Sequence, residues 1–176
     1  ARPACEEPPP VSDDHATTEE HETAAATAVP TEGIVRAIVR SIEPGPVAGR
    51  PGTPPAEHGR IVLHLAHTDY DLHLALAVPA DTIDVPVGKR IRGVIEASAM
   101  RIHPAHGGGQ FIEPVIGEPR IVAGTVEAID EAADRVLVEA AAPMWLSMME
   151  IQDRSVVDAG GLVNCHVRDV RFRPVG

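Results

Sequence analysis

Between Arg60 and Val78 the chain reads RIVLHLAHTDYDLHLALAV, which places His64, His67 and His73 within ten residues. Neutral imidazole is a ligand for zinc, copper and nickel. The stretch alternates apolar with polar residues about Thr68-Asp69, the pattern of a β-hairpin. A two-residue turn there sets Leu63 opposite Leu74, Leu65 opposite Leu72 and Ile61 opposite Leu76, one continuous apolar face. On the other face His64 stands directly opposite His73, with Cβ atoms roughly 4.5–5.5 Å apart, close enough to share a metal ion. A structural ion needs about four ligands and a catalytic one about three plus water. Further ligands would come from His67, His103 or His106. The alternative is two neutral histidines on the solvated face of an ordinary hairpin.

Little else in the chain points to chemistry. Asp69 and Asp71 flank Tyr70, but lone carboxylates at a hairpin tip do not specify acid–base catalysis. Cys165 adjoins His166, and strand alternation sends them to opposite faces, so a thiolate–imidazole pair is not expected. HGGGQF (106–111) reads as a flexible turn, because no nucleophile elbow accompanies it. Walker, dinucleotide-binding and H-E-x-x-H patterns are missing from the sequence. An enzyme is not expected.

The acidic excess, 26 Asp and Glu against 15 Lys and Arg, argues against nucleic acid or anionic membrane as partner, since both need a positive footprint. Aromatic residues make up 2% of the chain, so the core must come from Val, Ile, Leu and Ala. Residues 1–30 hold seven acidic residues, one basic and five prolines, a composition that cannot bury enough apolar surface to fold alone. They read as an extended acidic arm, and an arm of this kind is expected to lie along another protein. No apolar run is long enough to span a membrane. A chain opening on Ala1 suggests a removed leader or a trimmed sequence, and an extracytoplasmic location, periplasm or cell surface, is expected. Cys5 follows Arg2-Pro3-Ala4, where a lipidation signal would have a small aliphatic residue in place of Arg2. A free cysteine, or one paired with Cys165, is expected there over a lipid anchor.

From Thr31 onward the hydrophobic period is two, punctuated by Gly and Pro, and an all-β fold follows. Strands are expected over 33–42, 60–66, 71–78, 88–102 and 110–116, with a long Pro/Gly loop at 44–59. Five such strands suit a small OB-like barrel over residues 31–118. Residues 119–176 then form a shorter second barrel-like unit that repeats the first. Gly33–Ile38 matches Gly124–Ile129, Arg60–Leu63 matches Arg135–Val138, and Gly88–Ile95 matches Gly160–Val167. The last strand, 162–172, changes phase between Val167 and Val170, as a β-bulge would make it.

Residues 124–151, GTVEAIDEAADRVLVEAAAPMWLSMMEI, open on G-x-V-x-x-I-D and continue through a short turn and a strand to a Trp with nearby methionines. This resembles the small periplasmic copper/silver-binding OB-barrel chaperones. The resemblance implies Cu(I) held by a histidine on the second strand and two methionines on the third, under a tryptophan. Trp145, Met148 and Met149 match those positions, while the histidine's place falls near Glu139 or Ala140. Adjacent methionines on a strand point to opposite faces, so Met144 and Met148, which share a face, are the alternative pair. Thioethers select Cu(I) and a Trp face attracts cations. Methionines that simply fill a core poor in aromatics are the other reading.

Two functions follow. The first is a non-catalytic, exported binding or accessory subunit of a larger assembly, docking through its arm. The second is a periplasmic copper or zinc binder using these histidines or the Met–Trp cluster.

Overall fold

The computed structural model describes residues 32–51, 53–149, 155 and 157–176 of the chain. The described part is nearly all β, with a short 3₁₀ turn at Ala80–Thr82. The strands are β1 (Ile34–Pro44), β2 (Gly59–His64), β3 (Asp71–Leu76), β4 (Arg90–Pro104), β5 (Phe111–Glu113), β6 (Ile116–Gly117), β7 (Ile121–Asp130), β8 (Arg135–Glu139), β9 (Pro143–Met148) and β10 (Leu162–Pro174). None of the described helical segments is long and apolar enough to cross a membrane. The arm and Cys5 lie outside the described residues.

The pairing builds two barrels from two exchanged strands. In the first, β1 pairs β2, β2 pairs β3, and β3 runs parallel to the end of β10 through Ala75–Arg171 and Leu76–Phe172. That end of β10 pairs antiparallel with the start of β4 (Phe172 opposite Ile95), and the start of β4 closes on β1 (Val35 opposite Gly93). In the second barrel, β7 pairs β8, β8 pairs β9, and β9 runs parallel to the middle of β4 through residues 96–99. β4 then pairs the start of β10, which closes on β7. Each barrel has the 1-2-3-5-4-1 connection of an OB-like barrel. Its fourth strand is the first half of a long strand, and its fifth is the second half of the other.

The expected closing strand at 110–116 is therefore corrected. Phe111–Glu113 only lines β7, and Ile116–Gly117 only lines β3. β4 and β10 are long enough to serve both barrels, so the short segment is not needed for closure. β10 crosses between barrels at two register breaks, one either side of Val167-Arg168, with Asp169 in the left-handed region at φ 53°. The phase change expected between Val167 and Val170 is this crossing.

The two halves share a hydrogen-bond pattern that aligns them residue by residue. Val39 donates to the Lys89 carbonyl (3.0 Å) and accepts from the Gly88 N–H (2.7 Å); Val126 does the same with Gly161 (2.9 Å) and Gly160 (2.8 Å). A bulge follows each valine. Arg60, second in β2, and Arg135, first in β8, stand in equivalent registers, opposite Ala75 and Ser147. The matches Arg60–Arg135 and Gly88–Gly160 hold. The match of Gly33 to Gly124 is four residues out of step; Val39–Glu43 is the true counterpart of Val126–Asp130. The cause is a near-repeat inside β1, where IVRA (34–37) is followed by IVRS (38–41).

Inward residues of both barrels form one continuous core that includes Leu63, Leu74, Ile95, Met144, Leu146, Cys165 and Phe172. At equivalent places the barrels trade volume. Phe172 lies over Gly93, where an added Cβ would sit 2.4 Å from the ring, whereas the second barrel sets Ala99 with Cys165. Large and small residues alternate so that each barrel fills.

Burial pushes the Cys165 thiol up to about 12 from its ordinary value. The native state thus holds its proton more tightly than the unfolded chain. Cys165 contributes stability in full below about pH 9, and loses it at about 1.4 kcal/mol per unit as pH rises toward 12. Urea midpoints measured from pH 8 to 10.5 should fall more steeply for the wild type than for Cys165→Ala. The native thiol should also resist alkylation at pH 8, read at its own peptide by mass spectrometry.

Candidate functional site

The hairpin forms with its faces as expected and its register shifted by two. Arg60 pairs Ala75, Val62 pairs His73, and His64 pairs Asp71. His64 and His73 share the outer face but are diagonal neighbours, about 7–8 Å apart and with their Cβ atoms somewhat closer. The shift arises in the turn, which is longer than two residues. Leu65 and Tyr70 are joined through the Leu65 N–H, and the Leu65 carbonyl accepts from the Thr68 N–H and hydroxyl at 3.2 and 2.7 Å. The Thr68 hydroxyl in turn accepts the Tyr70 N–H, and His67 takes φ 63° at the exposed tip. Side-chain hydrogen bonding by Thr68 sets the loop length.

His64 Nδ1 lies 2.9 Å from Asp71 Oδ1, with Arg40 Nε 3.6 Å from the same oxygen. His103 is exposed near the end of β4 and His106 in the following turn, on neither strand of the hairpin. Among the described residues no group of three or more His, Cys, Asp or Glu is assembled that could hold a metal ion.

The Met–Trp cluster divides across its strand. Met144 is fully buried in the core and Met148 packs against it, while Trp145 joins a separate cluster with Val94 and Leu137. Successive strand residues alternate faces, so Trp145 does not cap the methionines. The ring's cation is already supplied: Arg135 Cζ lies 4.5 Å from its centroid. Arg135 also holds Asp130 Oδ2 at 3.0 Å. The Ala133 N–H, then Arg135, keep the Asp130 carboxyl below the usual range. Trp145 Nε1 donates to the Glu32 carbonyl at 3.2 Å. Gly33, at φ 72°, passes so close that a Cβ would meet Leu137 and Trp145 at 2.7 and 2.8 Å, which admits glycine alone.

The two barrels therefore differ on equivalent faces. Trp145 of the second occupies the register position of His73 in the first, and it is sealed by the chain entering β1. Around His73 the face stays open. The loop 45–58 arches over it and leaves a cleft of about 220 Å³ lined by His58, Arg60, His73, Glu118, Asp169 and Arg171. Val47 and Ala56 exchange two backbone hydrogen bonds across the loop. Arg60 Nη2 donates to the Ala48 carbonyl at 3.1 Å, and Arg50 Nη2 reaches Glu118 Oε1 at 3.0 Å. These ties join the loop to β2 and to the stretch after β6. The Arg50 Nε is buried and makes no hydrogen bond.

Of the residues singled out by sequence, His73 alone lines this cleft. His58, Arg60, Glu118 and Arg171 come from loop 45–58, β2, the stretch after β6 and β10, and single arginines on alternating strands carry no motif. The second barrel has a broader groove of about 470 Å³, lined by Ser98, Arg135, Trp145, Arg171 and Arg173 among others. Arg173 Nη2 there pairs Glu96 Oε2 at 3.0 Å. Equivalent to His64 stands Glu139, whose carboxyl is raised above its usual range by burial and then by Glu127.

No protein-family model, curated protein or solved structure matches the chain.

Proposed function

We propose that the protein is a non-catalytic binding module, an exported accessory subunit of a larger assembly. The braced cleft over the outer β2–β3 face carries this reading. That face and the loop joining the first two strands are where OB-like barrels take extended ligands. The lining mixes two arginines, two histidines and several carboxylates, which suits a polar protein segment. The acidic arm, residues 1–30, supplies a second handle on the same partner.

The test is native mass measurement of the protein purified, without a His-tag, from the cells that make it. The full chain is expected to travel with a partner polypeptide, Ala75→Trp in the cleft to lose it, and deletion of residues 1–30 to weaken it at least tenfold. A lone monomer in all three preparations contradicts the proposal.

A second reading rests on the His64–Asp71 pair. A carboxylate fixing one ring nitrogen is how metal-bound histidines are commonly oriented, and His73 lies diagonally across. Elemental analysis of the same sample decides it: near-stoichiometric copper or zinc, lost in His64→Ala, supports the metal reading, and a metal-free protein removes it.

A further inference from the structure

In a chain with a formal charge of −11, β1 and the start of β4 carry Arg36, Arg90 and Arg92 on one exposed outer face, with Lys89 beside them. Arg36 and Arg92 are direct cross-strand partners. Like charges so placed destabilise an antiparallel pair. None of the three arginines makes an ion pair or side-chain hydrogen bond among the described residues.

The second barrel shows that the fold does not require them. The equivalents of Arg36, Lys89, Arg90 and Arg92 are Ala123, Gly161, Leu162 and Asn164, by the pairings Ala123–Asn164 and Thr125–Leu162 set against Arg36–Arg92 and Ile38–Arg90. The same pairing is met there without charge, on a face that β5 helps to cover, with Ala123 buried.

From this contrast we propose that the β1–β4 face is a binding site for a carboxylate-rich segment of a partner protein. Arginine forks match carboxylates bidentately. Arg90 and Arg92 are two residues apart on a strand, about 6.6–6.8 Å. An extended acidic peptide repeats its same-side carboxylates at that interval. β1 and the start of β4 carry no aromatic residue on which a base could stack, which favours a carboxylate chain over nucleic acid. The site is separate from the cleft under loop 45–58 and stands whether or not that cleft binds.

The test uses the full chain and a fluorescent hexaglutamate peptide, read by anisotropy at low and moderate salt, with a hexathymidine oligonucleotide as competitor. Binding is expected to weaken with salt, to fall at least tenfold in Arg36→Glu and in Arg92→Gln, and to change less than twofold in Arg101→Glu, an exposed site on the later part of β4. Arg36→Glu replaces a repulsive pair with an attractive one, so its Tm should hold or rise and misfolding cannot account for lost binding. Equal loss in Arg101→Glu, or displacement by the oligonucleotide at lower concentration than by unlabelled peptide, overturns the proposal. So does failure of the peptide to bind the full chain, as when the chain's own acidic residues 1–30 fill the site.

Discussion

Phe172→Ala is expected to lower the unfolding free energy by about 3–5 kcal/mol, the usual cost of emptying a buried aromatic site. Phe172 is fully buried, pairs Leu76 on one side and Ile95 on the other, and covers Gly93. A domain of this size has about 5–15 kcal/mol in all, so the variant should unfold at a much lower urea concentration. The diagnostic is where the effect is seen. Tyr70 packs against the core beside β3 in the first barrel, Trp145 lies on β9 of the second, and the chain has one of each. Since both barrels share one core, the two fluorescence transitions should move together. A Tyr70 transition that shifts while Trp145 unfolds at the wild-type midpoint would mean that the barrels are independent.

The all-β class, the strands of the hairpins and the repeat were legible because period-two alternation records which residues face inward, and inward residues obey the same rule in either barrel. The exchange of β4 and β10 was not. β4 alternates without a break from Ile91 to Ala99, straight through its change of partner from β1 to β9, so periodicity there gives no mark where the partner changes. The one trace was the phase change near Val167, which registered a bulge without saying that it led elsewhere. The near-repeat in β1 had the opposite effect, offering a G-x-V match displaced by a turn of its own period.

The candidate site was less legible than the fold. Local spacing drew the eye to His64, His67 and His73, but a turn set by the Thr68 side chain moved the register by two and broke the direct opposition of His64 and His73. His73 kept its importance for a different reason, its place under loop 45–58. Arg60, Glu118 and Arg171 come together only through closure of the first barrel. The stretch GKRIRG (88–93) read simply as the start of a strand. Its charge became informative once the second barrel supplied an uncharged counterpart at the same positions.

Strand exchange is the central claim, and it makes a strong demand on the two halves of the chain. Residues 1–118 alone would lack the end of β10, leaving β3 and the start of β4 each with one open edge and Ile95 without Phe172. Residues 119–176 alone would lack β4, leaving β9 and the start of β10 as open edges. Unpaired edges of this length are costly and prone to aggregation. The decisive measurement is circular dichroism and native mass of the two segments, produced separately and together. Each alone should lack cooperative β structure, and the two produced together should copurify one to one with a single unfolding transition. A stably folded monomer from either segment alone would contradict the exchange.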